Sequence, residues 1–229
     1  MEAMRLVKDP KFLTIAVLGG TGKEGSGLVL RWAHGGYRVL IGSRDAERAA
    51  AKASELNAVL GAELIHGMSN EDAAAQADVV VLSVPYSAHQ AILESVKDRV
   101  RGKIVVDVTV PLQPPDVRTV HVPDGKAASL EAQALLGDGA RVVAAFQNVG
   151  AAHLHELSHG VGCDVLICSD DAQAKGDVVQ LVEAIPGMRA IDAGPLANAV
   201  AAEALTPVLL YINRRYKVTG AGIRITGLE

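Results

Sequence analysis

A chain of 229 residues, 49% of them apolar, has material for one large core and at most a small appended lobe. Its 22 basic and 26 acidic residues leave a formal charge of −4, so no broad positive field favours nucleic acid or an anionic membrane as a partner. Its two cysteines, Cys163 and Cys168, share one apolar run and read as buried thiols of a reducing compartment, not as a disulfide framework.

Residues 1–12 mix Glu2, Arg5, Lys8, Asp9 and Lys11 with no continuous apolar stretch, so they read as an N-terminal extension, neither signal peptide nor anchor. No later segment approaches the roughly 20 consecutive apolar residues that cross a bilayer, and the expectation is a cytoplasmic protein. Short β-branched runs then alternate with helical stretches: residues 15–18, 39–41, 79–82, 104–106, 142–145 and 165–168 read as strands. They lack polar alternation, as strands covered by helices on both faces do. Leu28, Val29 and Trp32 repeat at helical spacing, as do Val178, Leu181, Val182 and Ile185. Residues 45–60 form an Ala-rich helix closed by Gly61. The predicted fold is therefore α/β, a doubly wound, mostly parallel sheet with a small C-terminal helical lobe.

Two stretches break the rhythm, and interruptions of a rigid scaffold are where function concentrates. Residues 108–126 carry Pro111, Pro114, Pro115 and Pro123, too many for helix or central strand, and predict an ordered loop over the sheet edge facing the ligand. Residues 147–162 predict a second loop, holding His153, His155 and His159. From residue 196 to about 216 runs an Ala/Leu-rich helix in which Pro207 must either kink the axis or start a second helix capped by Thr206. The expected division is an extension at 1–12, a nucleotide-binding unit at 13–194 and a C-terminal helical segment at 195–229 that completes an acceptor site.

The first strand runs directly into Gly20-x-Gly22-x-x-Gly25 and then a helix. In that context Gly20 makes the tight turn, Gly22 lets backbone approach a pyrophosphate at the helix N-terminus, and Gly25 lets helix and strand pack closely, a Rossmann-type unit. Thr21, Lys23 and Glu24 lie between the glycines and join the candidate cofactor set. Where an NAD-binding fold places a carboxylate, at the end of the second strand, stands Gly42-Ser43-Arg44, with Arg48 one turn further on. Ser43 can donate to a 2′-phosphate, and Arg44 and Arg48 supply cations on the same side, so the expected nucleotide is NADP.

The run at 79–82 continues as Ser83-Val84-Pro85-Tyr86. At the carboxyl end of a strand beside the first, this turn should touch the ribose or nicotinamide, with Pro85 packing a flat ring and Tyr86, His89 or Gln90 flanking the ribose. No Tyr-x-x-x-Lys pair exists to move an alcohol proton: Tyr211 is followed by Arg215 and Tyr86 by Gln90. A redox partner needing neither acid nor base fits better, with hydride passing ring to ring and catalysis mostly by positioning. Thr21 and Ser83 are the candidates for orienting the rings. The three histidines of 147–162 do not read as a metal site, because positions 153 and 155 point apart on a helix and no carboxylate or cysteine completes a set.

With these residues assembled, the chain resembles the F420-dependent NADP reductases over about residues 14 to 228. The resemblance rests on Val17-Leu-Gly-Gly-Thr-Gly22, Ile41-Gly-Ser-Arg44, Gly67-Met-Ser-Asn-Glu-Asp-Ala73, Asp192-Ala-Gly-Pro-Leu196, Glu203-Ala-Leu-Thr-Pro207 and Gly222-Ile-Arg-Ile-Thr-Gly-Leu228. It implies a cytoplasmic homodimer that transfers hydride between NADPH and coenzyme F420, a deazaflavin. It also implies NADP lying across residues 21 to 24, Ser43, Arg44 and Arg48, with Val84, Pro85, Tyr86, Gln90 and Ala151 nearby. The deazaflavin would be seated by Val84-Pro85, Val110-Pro111 and the segment around Leu196 and Thr206, bordered by Gln147 and Asn148. Family members often show a His and a Pro where this chain has Gln147-Asn148-Val149-Gly150, a departure that bears on the acceptor and not on NADP. The alternatives are an NADPH-dependent reductase of a flavin or another acceptor, and a non-catalytic NADP(H)-sensing module.

Overall fold

The computed structural model describes residues 13–228; the predicted N-terminal extension lies outside the described residues. A six-stranded sheet forms from β1 (Thr14–Leu18), β2 (Arg38–Ser43), β3 (Ile65–Ser69), β4 (Val79–Leu82), β5 (Ile104–Asp107) and β6 (Arg141–Ala144), in the order β3-β2-β1-β4-β5-β6. Every pairing in it is parallel. The order reverses between β1 and β4, and the carboxyl ends there are where such sheets bind ligands.

Strands β1, β2, β4, β5 and β6 are buried on both faces along most of their length. Ile15 and Val17 of β1 join the core with α1 (Lys23–His34), α2 (Ala46–Leu60) and α7 (Ala172–Glu183). Ala16 and Leu18 face the opposite core with α3 (Asn70–Gln76), α4 (Tyr86–Val96) and α5 (Ala128–Leu136). Alternate residues thus serve two buried layers, which is why no polar period shows in the sequence. Trp32 ties the first layer together, packing edge-on to Phe146 at 5.6 Å and donating from Nε1 to the Leu181 carbonyl at 2.9 Å.

Beyond β6, β7 (Asp164–Ile167) and β8 (Arg189–Asp192) form a second, parallel pair, joined to the main sheet by an antiparallel bridge between Ala144 and Cys168. Cys163 and Cys168 are both buried and free, as expected. The strands β3 and β8 escape the β-branched pattern. In β3, Gly67 sits so close to α2 that an added Cβ would lie 2.1 Å from the Ala49 carbonyl carbon.

Residues 147–162, read from sequence as a loop, contain the short helix α6 (Ala151–Leu154). Arg31 of α1, almost wholly buried, holds it by donating to the carbonyls of His153, Leu154 and Glu156. Gly27 leaves room for this contact, since a Cβ there would lie 2.5 Å from that of Leu154.

The last helix, α8 (Ala199–Tyr216), is one element with Pro207 inside it. The proline starts no second helix: Thr206 donates its hydroxyl to the Gln147 carbonyl at 2.6 Å instead of capping. By length and composition alone Leu196–Tyr216 would pass as a membrane span, contrary to the expectation from consecutive apolar residues. Its buried Glu203 docks it, accepting from the Ala128 and Ser129 amides and the Ser129 hydroxyl, all at the N-terminus of α5. After α8 the chain returns along β7, where Asp164 accepts from Arg189, Arg224 and the Ile225 amide.

Candidate active-site cleft

The glycine-rich turn after β1 is forced by close backbone approaches. Gly19, at φ +77, carries the left-handed conformation, and a Cβ on it would lie 2.3 Å from the Ser83 carbonyl oxygen. The tight-turn role expected of Gly20 thus belongs in part to Gly19; Gly20 itself presses on the Val17 carbonyl, where a Cβ would lie at 2.8 Å. Gly25 could not carry a Cβ without meeting Gly19 and Gly20 at 2.9 Å, as expected of a helix packed on its strand. Gly22 is less crowded, a Cβ there meeting only the Gly19 carbonyl oxygen at 3.4 Å, and no side chain caps α1. The first amides of a 12-residue helix therefore border open space, with the positive end of its dipole.

That space is a cleft of about 970 Å³. Gly22, Lys23, Glu24 and Gly25 form one wall, and Ser83, Val84, Pro85 and Tyr86 the end of β4. Val110 with its neighbours Val108, Thr109 and Leu112 closes the side beyond β5, as expected of the proline-rich loop. Gln147, Asn148 and Ala151 come from the segment after β6, and Thr206 with Leu209, Leu210 and Asn213 from one face of α8.

Not every predicted residue lines it. Ser43, Arg44 and Arg48 stand outside its walls at the end of β2; the Ser43 hydroxyl accepts from the Asp45 amide, and both arginines are exposed. Thr21 is half-buried beside the cleft. Gln90 faces solvent on α4 and donates to Glu94, Pro111 is buried, and Leu196 is 1% exposed within the second core layer. The structure does not bring these last three to the cleft.

Three polar atoms at the cleft are buried with no hydrogen-bond partner: Glu24 Oε1, Thr109 Oγ1 and Gln147 Oε1. Orphaned polar atoms are rare enough in folded proteins that several on one cavity point to a ligand. Glu24 as a residue is partly exposed, but enclosure of its carboxyl pushes its pKa up to about 8.

Behind the cleft lies a polar cluster that sequence reasoning missed. Buried His89 and Asp107 meet at 2.7 Å, so the role considered for His89 at the ribose gives way to this contact. Burial opposes the charged imidazole, but the hydrogen bond and charge of Asp107, with Glu131 and Glu203 behind, outweigh it and raise the His89 pKa. Asp107 also accepts the Thr109 amide at 3.0 Å. The Tyr86 hydroxyl donates to Glu131 at 2.9 Å, and burial, then that bond, push its pKa up to about 12. Burial raises Glu203 to about 7 against its α5 hydrogen bonds. The one signal of this cluster in the sequence is a lone acid in an Ala/Leu-rich helix.

The three histidines go separate ways. His153 Nε2 meets the Thr219 and Gly220 carbonyls, His155 Nε2 the Lys23 carbonyl, and His159 Nδ1 the Ser158 hydroxyl. Among the described residues no group of three ligands is placed to hold a metal ion.

Residues 14–111 match the family described as NADP oxidoreductase, coenzyme F420-dependent. The chain is 46% identical to an F420-dependent NADP reductase of Methanothermobacter thermautotrophicus, over 94% of this chain and 96% of that one. It is 44% identical to a protein of the same name from Methanocaldococcus jannaschii, over 95% and 100%. A crystal structure from an Arthrobacter species, described as an F420-dependent NADP reductase, superposes with a TM-score of 0.79 at 26% identity, covering 93% of this chain and 99% of that one.

Proposed function

The chain belongs to the F420-dependent NADP reductases, and we propose how its own residues serve the reaction: reversible hydride transfer between carbon 4 of the nicotinamide and carbon 5 of the deazaflavin. The observation that carries the assignment of the site is the cleft with its three orphaned polar atoms, mouthed by the uncapped start of α1. The α1 amides face the pyrophosphate, and Ser43, Arg44 and Arg48 take the 2′-phosphate at the end of the neighbouring strand. Both arginines are exposed, and among the described residues no carboxylate engages either guanidinium, Asp45 accepting only the Arg48 main-chain amide, so they are free to do so.

Deeper in, apolar Val84, Pro85, Val108, Val110 and Leu209 exclude water from the reacting faces. Ser83 and Thr21 orient the rings; Thr109 and Gln147 offer hydrogen bonds at their edges, and Thr206 fixes the Gln147 main chain. The deazaflavin spreads the incoming charge over its own ring system, so the protein contributes position more than acid or base. The site so described belongs to a cytoplasmic homodimer, as the family resemblance implies.

Deuterium placed at carbon 4 of NADPH and recovered at carbon 5 of the deazaflavin tests the reading; label lost to water contradicts it. One feature favours a second reading: Gln147-Asn148-Val149-Gly150 stands in the loop where family members often show a His and a Pro, bordering the acceptor. Reduction of free flavins with no reduction of the deazaflavin would select it.

A further inference from the structure

A second cavity, about 460 Å³, opens beside the cleft and plays no part in the reading above. Arg118, Arg214 and Arg215 line it with Tyr211, Thr119 and Asp116. It is built from the same two elements as the cleft's outer wall, the proline-rich loop and the end of α8. Val117, Leu210 and Asn213 line the cleft, and their chain neighbours Arg118, Tyr211 and Arg214 line the second cavity. The two spaces therefore lie along one loop–helix seam.

Charge is unbalanced there. The single carboxylate, Asp116, is already engaged: it accepts from the Thr119 hydroxyl at 2.6 Å and the Arg118 amide at 3.2 Å, with the Arg118 guanidinium at 3.8 Å. Those hydrogen bonds hold its pKa below the ordinary carboxylate value. Among the described residues no carboxylate pairs with Arg214 or Arg215. Both sit in the last turn of α8, where cations are favoured by the helix dipole; that alone does not explain why a third arginine from another element meets them around a cavity. In a chain of net charge −4, three guanidiniums converging on one hollow fit a ligand with phosphate and carboxylate groups.

We propose that this cavity receives the anionic side chain of the deazaflavin coenzyme. That chain is a ribityl phosphodiester to lactate, whose carboxyl is amide-linked to glutamate, so its anionic groups are the phosphodiester and the glutamate carboxylates and it matches the cavity in sign. The proposal rests on the reading of the cleft given above. The sheet order supports the direction. NADP's 2′-phosphate site lies past β2 on one side of β1, while β4 and then β5 lead the other way to the loop and α8. The arginine cavity thus stands at the acceptor end, across the cleft from the nucleotide phosphates. The apolar cleft seats the ring, and the arginines select the coenzyme over a bare deazaflavin.

The test compares coenzyme F420 with the same deazaflavin carrying only its ribityl chain, with no phosphate. Affinity is read from deazaflavin fluorescence and KM from turnover with NADPH. The wild-type protein should favour the full coenzyme by about tenfold or more, on the scale of charge-assisted hydrogen bonds. Arg214→Ala/Arg215→Ala should raise Kd and KM for the full coenzyme toward those of the phosphate-free ring. The constants for the ring itself, its kcat, and the KM for NADPH should stay unchanged, and Arg214→Lys/Arg215→Lys should restore part of the discrimination. Equal losses for both deazaflavins, no loss for either, or a changed oligomeric state with the discrimination intact would overturn the proposal. A raised KM for NADPH alone would mean that the arginines serve the nucleotide, and would overturn it too. If the wild-type protein reduces neither deazaflavin, the hydride-transfer reading itself falls, an outcome distinct from retained activity without discrimination.

Discussion

The side-chain amide of Gln147 donates to the main-chain carbonyl of Asp107 at 2.8 Å, and this bond decides which end of the amide is left over. The nitrogen is committed to β5, so the oxygen is the orphan at the cleft. Gln147→Ala should raise KM for the acceptor about 5- to 20-fold, the worth of one hydrogen bond in a desolvated site. The KM for NADPH should hold. The Thr206 bond goes to the Gln147 main chain and survives the substitution. Steady-state kinetics with each substrate varied in turn checks the split.

Arg44 is exposed beyond β2, so removing it should leave folding alone and act on the nucleotide. Arg44→Ala should weaken NADP binding by about 1.5 to 3 kcal/mol, roughly 10- to 150-fold, and leave NAD nearly unaffected. Calorimetric titration with both nucleotides checks this; equal losses would place the 2′-phosphate elsewhere.

Glu203 is buried in α8 and satisfies the first amides of α5. Glu203→Ala leaves those donors and the Ser129 hydroxyl unpaired and should lower stability by about 2 to 4 kcal/mol. Glu203→Gln keeps one acceptor and should lower it less. Denaturant unfolding with an unchanged m-value would show the effect on stability alone.

Much of this was legible in the chain. The strands β1, β2, β4, β5, β6 and β7 announce themselves because both of their faces are buried, leaving unbroken apolar runs. Strand β3 hides because Gly67 serves α2, whose backbone at Ala49 fills the space its side chain would take. Strand β8 hides because its burial is partial throughout. At the cleft, the glycines and Ser83-Val84-Pro85 follow from local pattern. The choice of Leu196 shows where pattern stops: helical phase decides which side of a segment meets the cleft. Thr206, Leu209, Leu210 and Asn213 share the facing stripe, while Leu196 lies in the turn before α8 and points to the core. The Glu203 and His89–Asp107 contacts join residues 75 and 18 positions apart, and no spacing rule exposes such pairs.

Glu24 couples the cleft to pH. With its folded pKa near 8, it keeps its proton between about pH 4.5 and 8 while the unfolded chain releases one. Stability of the ligand-free protein therefore falls as pH rises through that window. Glu24→Gln abolishes this titration, so thermal unfolding of the variant should lose less Tm from pH 5 to pH 8 than the wild type does. Parallel Tm profiles would show that the carboxyl is ionised throughout.

The most direct trial of the account is to mix the protein with NADPH and coenzyme F420 and follow the visible band of the oxidised deazaflavin. The band should bleach, with one NADP formed per deazaflavin reduced, and return when excess NADP is added. Tight binding of NADPH with the band unchanged would contradict the assignment of the cleft to hydride transfer.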